Sequence, residues 1–481
     1  MRAHRAGATA AALVTLLAAA CGPKTYVPPQ AHAPAAYREN AAWKGALPSD
    51  QEIRGKWWES FGDRTLDGLE ERIDVSNRTL RAAQAEFDRS RAGITFARAG
   101  LQPSVASDAS ILRQSQSQNR AAPSLPGSYS TFLLPASVSY EADVWGRVHA
   151  LVANSRAAAE ASAADLELVN LSVHAELALD YFALRGVDRD ARLLEEAVAA
   201  YEKALELTQN RFRGGLSSAA DVALAQTQLE TTRAQAIDDG VQRAALEHAL
   251  AVLVGEPAST FALPAVTGSV EPPGIPPGLP ADLLERRPDI AGAERRVAAA
   301  SASMGVARAA YYPVLALTGT DGFESASLAN WLSSLSNFWS VGPAALVSVF
   351  DAGRRRAVNN EARAAYQQSV DAYEQTVLVA FREVEDSLAA LRILDEEARV
   401  QSGAVDAASR ALTLATNRYR GGVASYLEVV TAQAAALGNE RTAAAILTRR
   451  LGASVLLIKA LGGGWNRAGL PQTVATGGLP Q

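Results

Sequence analysis

The sequence predicts a mainly helical chain with a small β part, built from one unit written twice, giving four strands and four long helical columns. Three observations predict it. Asn210-Arg211-Phe212-Arg213-Gly214-Gly215-Leu216 recurs as Asn417-Arg418-Tyr419-Arg420-Gly421-Gly422-Val423 at an offset of 207, and Ala97-Arg98-Ala99 with Pro103 recurs as Ala307-Arg308-Ala309 with Pro313 at 210. From Ser130 to Val144 the even positions are mostly apolar and the odd ones mostly polar, the period-two pattern of a strand. Arg147 to Gly214 and Arg354 to Gly421 each span 67 residues without a proline and are rich in Ala, Glu, Arg and Leu.

Of the 481 residues, 48% are hydrophobic but only 6% aromatic, so apolar content goes to alanine and leucine, which favour helices. The single cysteine excludes a disulfide framework and any zinc site of several thiolates. A net charge of −5 argues against nucleic acid as a partner. Beyond the N-terminus no run of 18 apolar residues offers a transmembrane helix, which leaves strands untouched as membrane elements.

Taken in order, residues 1–20 carry Arg2, Arg5 and the apolar stretch Ala10–Ala20, as a signal peptide does. Leu17-Ala18-Ala19-Ala20-Cys21-Gly22 resembles a bacterial lipobox, departing from it at Ala18, where leucine is preferred. That resemblance implies a covalent lipid (palmitate among its acyl chains) on Cys21, each buried methylene adding ~0.8 kcal/mol of membrane affinity. Gly22 in place of aspartate implies the outer membrane of a Gram-negative cell. Residues 21–62 read as an anchor and coil segment in which Trp57-Trp58 packs on the middle of the helical wall.

The first repeat is placed at 63–270 and the second at 271–461, joined by the proline-rich stretch Pro257–Pro280, with a Gly/Pro-rich tail at 462–481. Each repeat runs helix, two strands, long helix, turn, helix. The strands begin at Pro103 and Pro313 and pair with Ser130–Val144 and Trp339–Val349, with loops at Gln114–Ser130 and Asp321–Asn337. Each 67-residue interval makes a helix of ~100 Å. Leu66–Gly100 and Asp221–Gly255 read as half-length helices of ~50 Å, stacked end to end to match it. Four strands cannot close a barrel and lipid does not tolerate open edges, so membrane strands require oligomerisation; three copies supply twelve.

Lys56-Trp57-Trp58-Glu59-Ser60-Phe61-Gly62-Asp63, Glu285-Arg286-Arg287-Pro288-Asp289-Ile290, Phe350-Asp351-Ala352-Gly353-Arg354-Arg355 and the two Arg-aromatic-Arg-Gly-Gly turns are together similar to the outer-membrane efflux factor (TolC-like) family, in its NodT-type lipoprotein branch. The resemblance covers nearly the whole chain after Cys21. It implies a homotrimer in which a long α-helical barrel continues a transmembrane β-barrel completed only by the three copies. It further implies passive conduction of drugs or other small toxic compounds, from an inner-membrane RND transporter and a periplasmic adaptor to the exterior.

The two turns also carry the expected site. Gly214-Gly215 and Gly421-Gly422 end one helix and permit reversal into the next. By resemblance they are the adaptor-contact turns, with Arg213, Leu216, Arg420 and Val423 as contacts on a quasi-sixfold rim. Asp221 and Glu428 follow. Each is read either as an acid favouring a helix N-terminus or as part of a periplasmic gate, a carboxylate ring that selects cations. Tyr419 with Arg420, or Phe212 with Arg213, holds neighbouring helices there. Thr431 departs from the family, where an aspartate often stands, and the second acidic ring is in question at that position. Arg354-Arg355-Arg356 is placed at a strand-to-helix junction.

His149, His174 and His248 stand isolated on helices and read as solvated or packed surface residues. No phosphate loop, nucleophile elbow or acid–base constellation can be assembled, so neither enzymatic activity, cofactor nor metal is expected. A duct for type I protein secretion is the alternative; the lipobox and the Trp-Trp-Glu-Ser-Phe-Gly motif count against it. A non-conducting envelope coiled coil has no use for the alternating strands.

Overall fold

The computed structural model describes residues 26–29, 34, 36–39, 55–117, 119, 127–265, 268, 270–275 and 286–465. The expected signal peptide, Cys21, Glu285 and the tail beyond 465 lie outside these residues. Helices α1 (Arg64–Ser76) and α2 (Arg78–Ala99) lead to strands β1 (Ser104–Ser107), β2 (Ser110–Ser115) and β3 (Ser128–Ala142). Helices α3 (Arg147–Arg213) and α4 (Ala219–Leu253) follow. The order then repeats as α5 (Pro288–Ala309), β4 (Val314–Ser325), β5 (Asn337–Leu346), α6 (Arg354–Arg420) and α7 (Tyr426–Ala460).

The sheet is antiparallel throughout, with β3 pairing β4 and thereby joining the two halves of the chain. β1 and β2 share one register along β3, Ser104 opposite Ser139 and Ser110 opposite Leu133. They are two pieces of one strand, interrupted where Pro135 of β3, which has no N–H, faces the gap. The register puts Phe132, Leu134, Val138 and Tyr140 on the same face as Leu315, Leu317 and Phe323 of β4 and Trp339 and Val341 of β5. Trp331 leans on Phe132 at 5.6 Å, but among the described residues most of that face stays open, Trp339 being 71% exposed. β4 runs on to Ser325, five residues into the segment expected as loop from Asp321, because its ladder with β3 continues to Phe132.

Helices α3 and α6 each run unbroken for 67 residues, ~100 Å. Near the strands the wall reads α2, α3, α5, α6, each packed on the next; toward the far end it reads α4, α3, α7, α6. Small residues let the backbones approach: Ala157, Ala159, Ala161, Ala163 and Ala164 of α3 are buried, and a Cβ on Gly305 of α5 would sit 3.2 Å from that of Ala150. The low aromatic content is therefore a packing property of the wall.

End-to-end stacking occurs with one correction. The helix expected over Leu66–Gly100 breaks at Asn77, whose backbone is extended (φ −62°, ψ 125°). Asn77 Oδ1 accepts from Leu80 N–H at 2.8 Å, capping α2, and its Nδ2 donates to Leu253 O at 2.7 Å, where α4 ends. An asparagine that bonds backbone on both sides favours such a break over helix interior. In the second half Arg287 occupies the same place, with Pro288 at the first helical position of α5. The Arg287 guanidinium donates to Ala460 O at 3.0 Å, to Glu383 at 2.8 Å and to both Asp289 oxygens at 3.0 and 2.6 Å. The glycines beyond the incoming helix ends, Gly255 (φ 75°) and Gly462 (φ 89°), are left-handed, and a side chain on either would strike the carbonyl of Ser76 or Arg286.

The aromatic motif forms a 3₁₀ turn, Trp57–Phe61, buried against the wall's middle as expected. His174 is not the surface residue its sequence context implied. It is buried, its Nδ1 lies 2.6 Å from Glu70 Oε2 and its Nε2 3.3 Å from Asp74 Oδ1, and Trp58 stacks on it at 4.6 Å. Burial pushes the Glu70 carboxyl up to about 7, against the lowering effect of the hydrogen bond with His174. Arg355 closes the strand-to-helix junction by bonding Asp351 at 2.6 Å, while Arg354 and Arg356 stay exposed.

Arg287→Ala leaves two carboxylates and a helix-terminal carbonyl unpaired. It should destabilise the folded protein by about 3 kcal/mol, read as a lowered unfolding midpoint in detergent, whereas Lys203→Ala on the exposed face of the internal helix α3 should leave the midpoint unchanged.

Candidate functional site

The two helical hairpins end in turns of the same construction. Gly215 N–H donates to Phe212 O at 2.9 Å and Leu216 N–H to Arg211 O at 2.8 Å. Gly422 N–H donates to Tyr419 O and Val423 N–H to Arg418 O, both at 3.0 Å. These pairs are the Schellman pattern, and it needs a left-handed residue at Gly215 (φ 72°) and Gly422 (φ 75°). Gly214 and Gly421 have negative φ. Beyond each turn Leu216 and Val423 stand 71% and 70% exposed, an apolar pair at the extreme end of the wall.

Asp221 takes the third helical position of α4 and completes a capping box. Its N–H donates to Ser218 Oγ at 3.1 Å, and its Oδ2 accepts from Ser218 N–H at 2.9 Å and Ser217 Oγ at 2.8 Å. Partial burial works to raise the carboxyl, but these serine hydrogen bonds outweigh it and hold Asp221 below the usual carboxylate range. Glu428 occupies the matching position of α7 with no side-chain cap on Ser425. It is exposed and faces only Arg418, at 3.8 Å. Thr431, one turn on, donates to Leu427 O at 2.8 Å and is exposed.

The aromatic residues of the two turns part company. Tyr419 is buried, edge-on to Tyr426 at 5.2 Å, with its hydroxyl 3.4 Å from Thr208 Oγ1 on α3 and 3.5 Å from Ser217 Oγ. Phe212, its counterpart, is 46% exposed. Arg211 lies over the Tyr419 ring, 4.8 Å from its centroid, and donates to Arg420 O at 3.4 Å, pinning the two hairpins within one protomer. Arg213 bonds Asn210 Oδ1, and both Arg213 and Arg420 present exposed side chains. The first arginine of each repeated motif, Arg211 or Arg418, thus reaches beyond its own turn, whereas Arg213 bonds only within it. Arg211, Thr208, Ser217 and Tyr426 were missed as site residues; only the repetition of Arg211 as Arg418 marked any of them.

Among the described residues no cluster of His, Cys, Asp or Glu could hold a metal, and no helix is long and apolar enough to cross a membrane. What the site offers is a rim of apolar side chains above exposed carboxylate and guanidinium groups.

Ser218→Ala removes the cap and should speed amide exchange in the first turn of α4 about fivefold, the equivalent of ~1 kcal/mol. The Asp221 contribution, from a lowered carboxyl, is present above pH ~4 and lost as pH falls through its lowered value. Exchange in Asp221→Asn should therefore exceed wild type at pH 5, and the difference should close below pH ~4.

A model of the outer membrane efflux protein family matches residues 71–256 and 279–463. The chain is similar to the outer membrane protein OprJ of Pseudomonas aeruginosa, 32% identical over 88% of this chain and 90% of that one. It is 33% identical to the pyoverdine export outer membrane protein OpmQ of the same species, over 91% and 93% of the two chains. The solved structure of the outer-membrane channel OprN superposes with a TM-score of 0.85 at 29% identity, covering 92% of this chain and 98% of that one. The fold is accordingly a section of long α-helical barrel with a β part that three copies close. On these grounds the chain belongs to the outer membrane efflux protein family, as an outer-membrane channel of a Gram-negative efflux system.

Proposed function

We propose that three copies of this chain form the exit duct of a tripartite pump, receiving small toxic compounds from an inner-membrane RND transporter through a periplasmic adaptor and conducting them passively outward. The observation that carries the proposal is that the protomer is open along both flanks. In the sheet, β5 and the broken strand β1–β2 each lack a partner on one side among the described residues. In the wall, the end columns α2/α4 and α6 expose apolar residues, Ile237 and Val241 on α4 and Val400 and Leu414 on α6, each more than 60% exposed. Both edges require the same closure, and a ring of identical protomers satisfies them together.

In this reading Cys21 carries the lipid anchor, and residues 63–270 and 271–461 are the two copies of a duplicated unit. The turns Gly214–Leu216 and Gly421–Val423 meet the adaptor, Leu216 and Val423 supplying apolar contact and Arg213 and Arg420 charge. Asp221, Glu428, Phe212, Arg213, Tyr419 and Arg420 line or brace the periplasmic gate. The capping box divides the labour: Asp221 is committed to its serines, so Glu428 supplies most of the cation-attracting charge, and Thr431 adds none. Tyr419 braces within the protomer, which leaves Phe212 for the neighbour. Conduction of this kind needs no catalytic group, and pyoverdine export, named for OpmQ, fits a duct indifferent to its cargo's chemistry.

Reversal potentials in planar bilayers under a KCl gradient test the gate. Glu428→Ala should reduce cation preference strongly, Asp221→Ala weakly, and the double variant little beyond Glu428→Ala. Identical values in wild type and double variant would remove both residues from the gate.

A further inference from the structure

Half-buried arginines in this wall are normally paired. Arg147 holds Glu141, Arg156 and Arg295 share Glu160, Arg243 holds Asp188 and Arg441 holds Asp190, all within 3.1 Å. Arg189 and Arg192 break the pattern: both are half-buried, and neither makes an ion pair or hydrogen bond among the described residues. With Arg185 they stand at spacings of four and three on α3, one face of the helix. All three line a cavity of 320 Å³ between α3, α4 and α7, bordered by Ala265, Gly268 and Val270. Arg185 bonds only neutral oxygens, Gly268 O at 2.9 Å and the Tyr181 hydroxyl at 3.4 Å. Of the two acids lining the cavity, Asp188 is taken by Arg243 at 2.8 Å and Glu195 is exposed. Three guanidinium charges thus face one free carboxylate.

We propose that this cavity is a binding site for a multivalent oxyanion. A guanidinium that loses hydration without a partner is costly, and the planar fork is matched by phosphate or carboxylate oxygens. Arg189 lies 42 residues along α3 from Arg147, so about 60 Å from the strands, beyond the reach of headgroups of the membrane they span. The remaining sources share one chemistry: a soluble phosphate-bearing ion, or the carboxylates of the cell-wall polymer. The lining comes from one protomer, so the site stands independently of the proposed assembly.

Titration calorimetry of the full-length protein in detergent with sodium pyrophosphate tests the first source. Saturable binding that weakens with added salt is expected in wild type, and the double variant Arg189→Gln, Arg192→Gln should bind about tenfold more weakly or not at all. Arg308→Gln, exposed on the internal column α5 and without an ion pair among the described residues, is the control and should bind as wild type. Co-sedimentation with isolated sacculi tests the second; retention lost in the double variant, without pyrophosphate binding, assigns the polymer. Circular dichroism establishes that the double variant is folded. If wild type engages neither probe, or the double variant matches it in both, the site does not exist.

Discussion

A helix of 67 residues needs neighbours as long as itself, and this chain builds each of them from two shorter helices laid head to tail. The junction is where the wall is most exposed to failure, because the incoming helix ends with unsatisfied carbonyls and the outgoing one begins with unsatisfied N–H groups. Asn77 and Arg287, related by the offset of 210, each donate to the last carbonyls of the incoming helix while standing at the cap of the outgoing one. Gly255 and Gly462, related by 207, leave room for the chain to turn away. Column lengths follow from these junctions, and so do the level of the sheet and the alignment of the two tips at the far end.

The same geometry creates the open flanks. In a four-column wall topped by a four-strand-wide sheet, the segments about Glu39 and Leu263 cover only parts of α6 and α4, and among the described residues the rest of α6, the α2/α4 column, β5 and β1–β2 stay open along one side. Closing the helices without the strands, or the strands without the helices, would leave one set of edges bare. One rotation that closes both makes tunnel and barrel coaxial. The tip is then less symmetric than the repeated motif implies: one aromatic is buried against Thr208, its counterpart is exposed, and one acid is tied into a capping box while the other faces an arginine.

Much of this was legible in the residues. The long helices begin and end where the Gly-Arg and Arg-Gly-Gly pairs place them, because glycine at a left-handed position is a local requirement. β3 declared itself by its alternation, whereas β4 did not, since Gly319 and Asp321 dilute its apolar face and its length is fixed by β3 alongside. The break at Asn77 was hidden because asparagine is tolerated inside helices and its decisive partner, Leu253, is 176 residues away. His174 misled for the same reason: its carboxylate partners Glu70 and Asp74 come from α1. At the tip, position was readable but burial was not. Which of Phe212 and Tyr419 is covered depends on Arg211 and Thr208 across the hairpins.

The central claim, that the open flanks of this protomer are closed by two further copies into a conducting duct, is tested most directly by single-channel recording on a preparation whose mass is established by native mass spectrometry. A trimer that inserts into planar bilayers and gives discrete, ohmic conductance steps is expected. A folded monomer that produces no steps would contradict it.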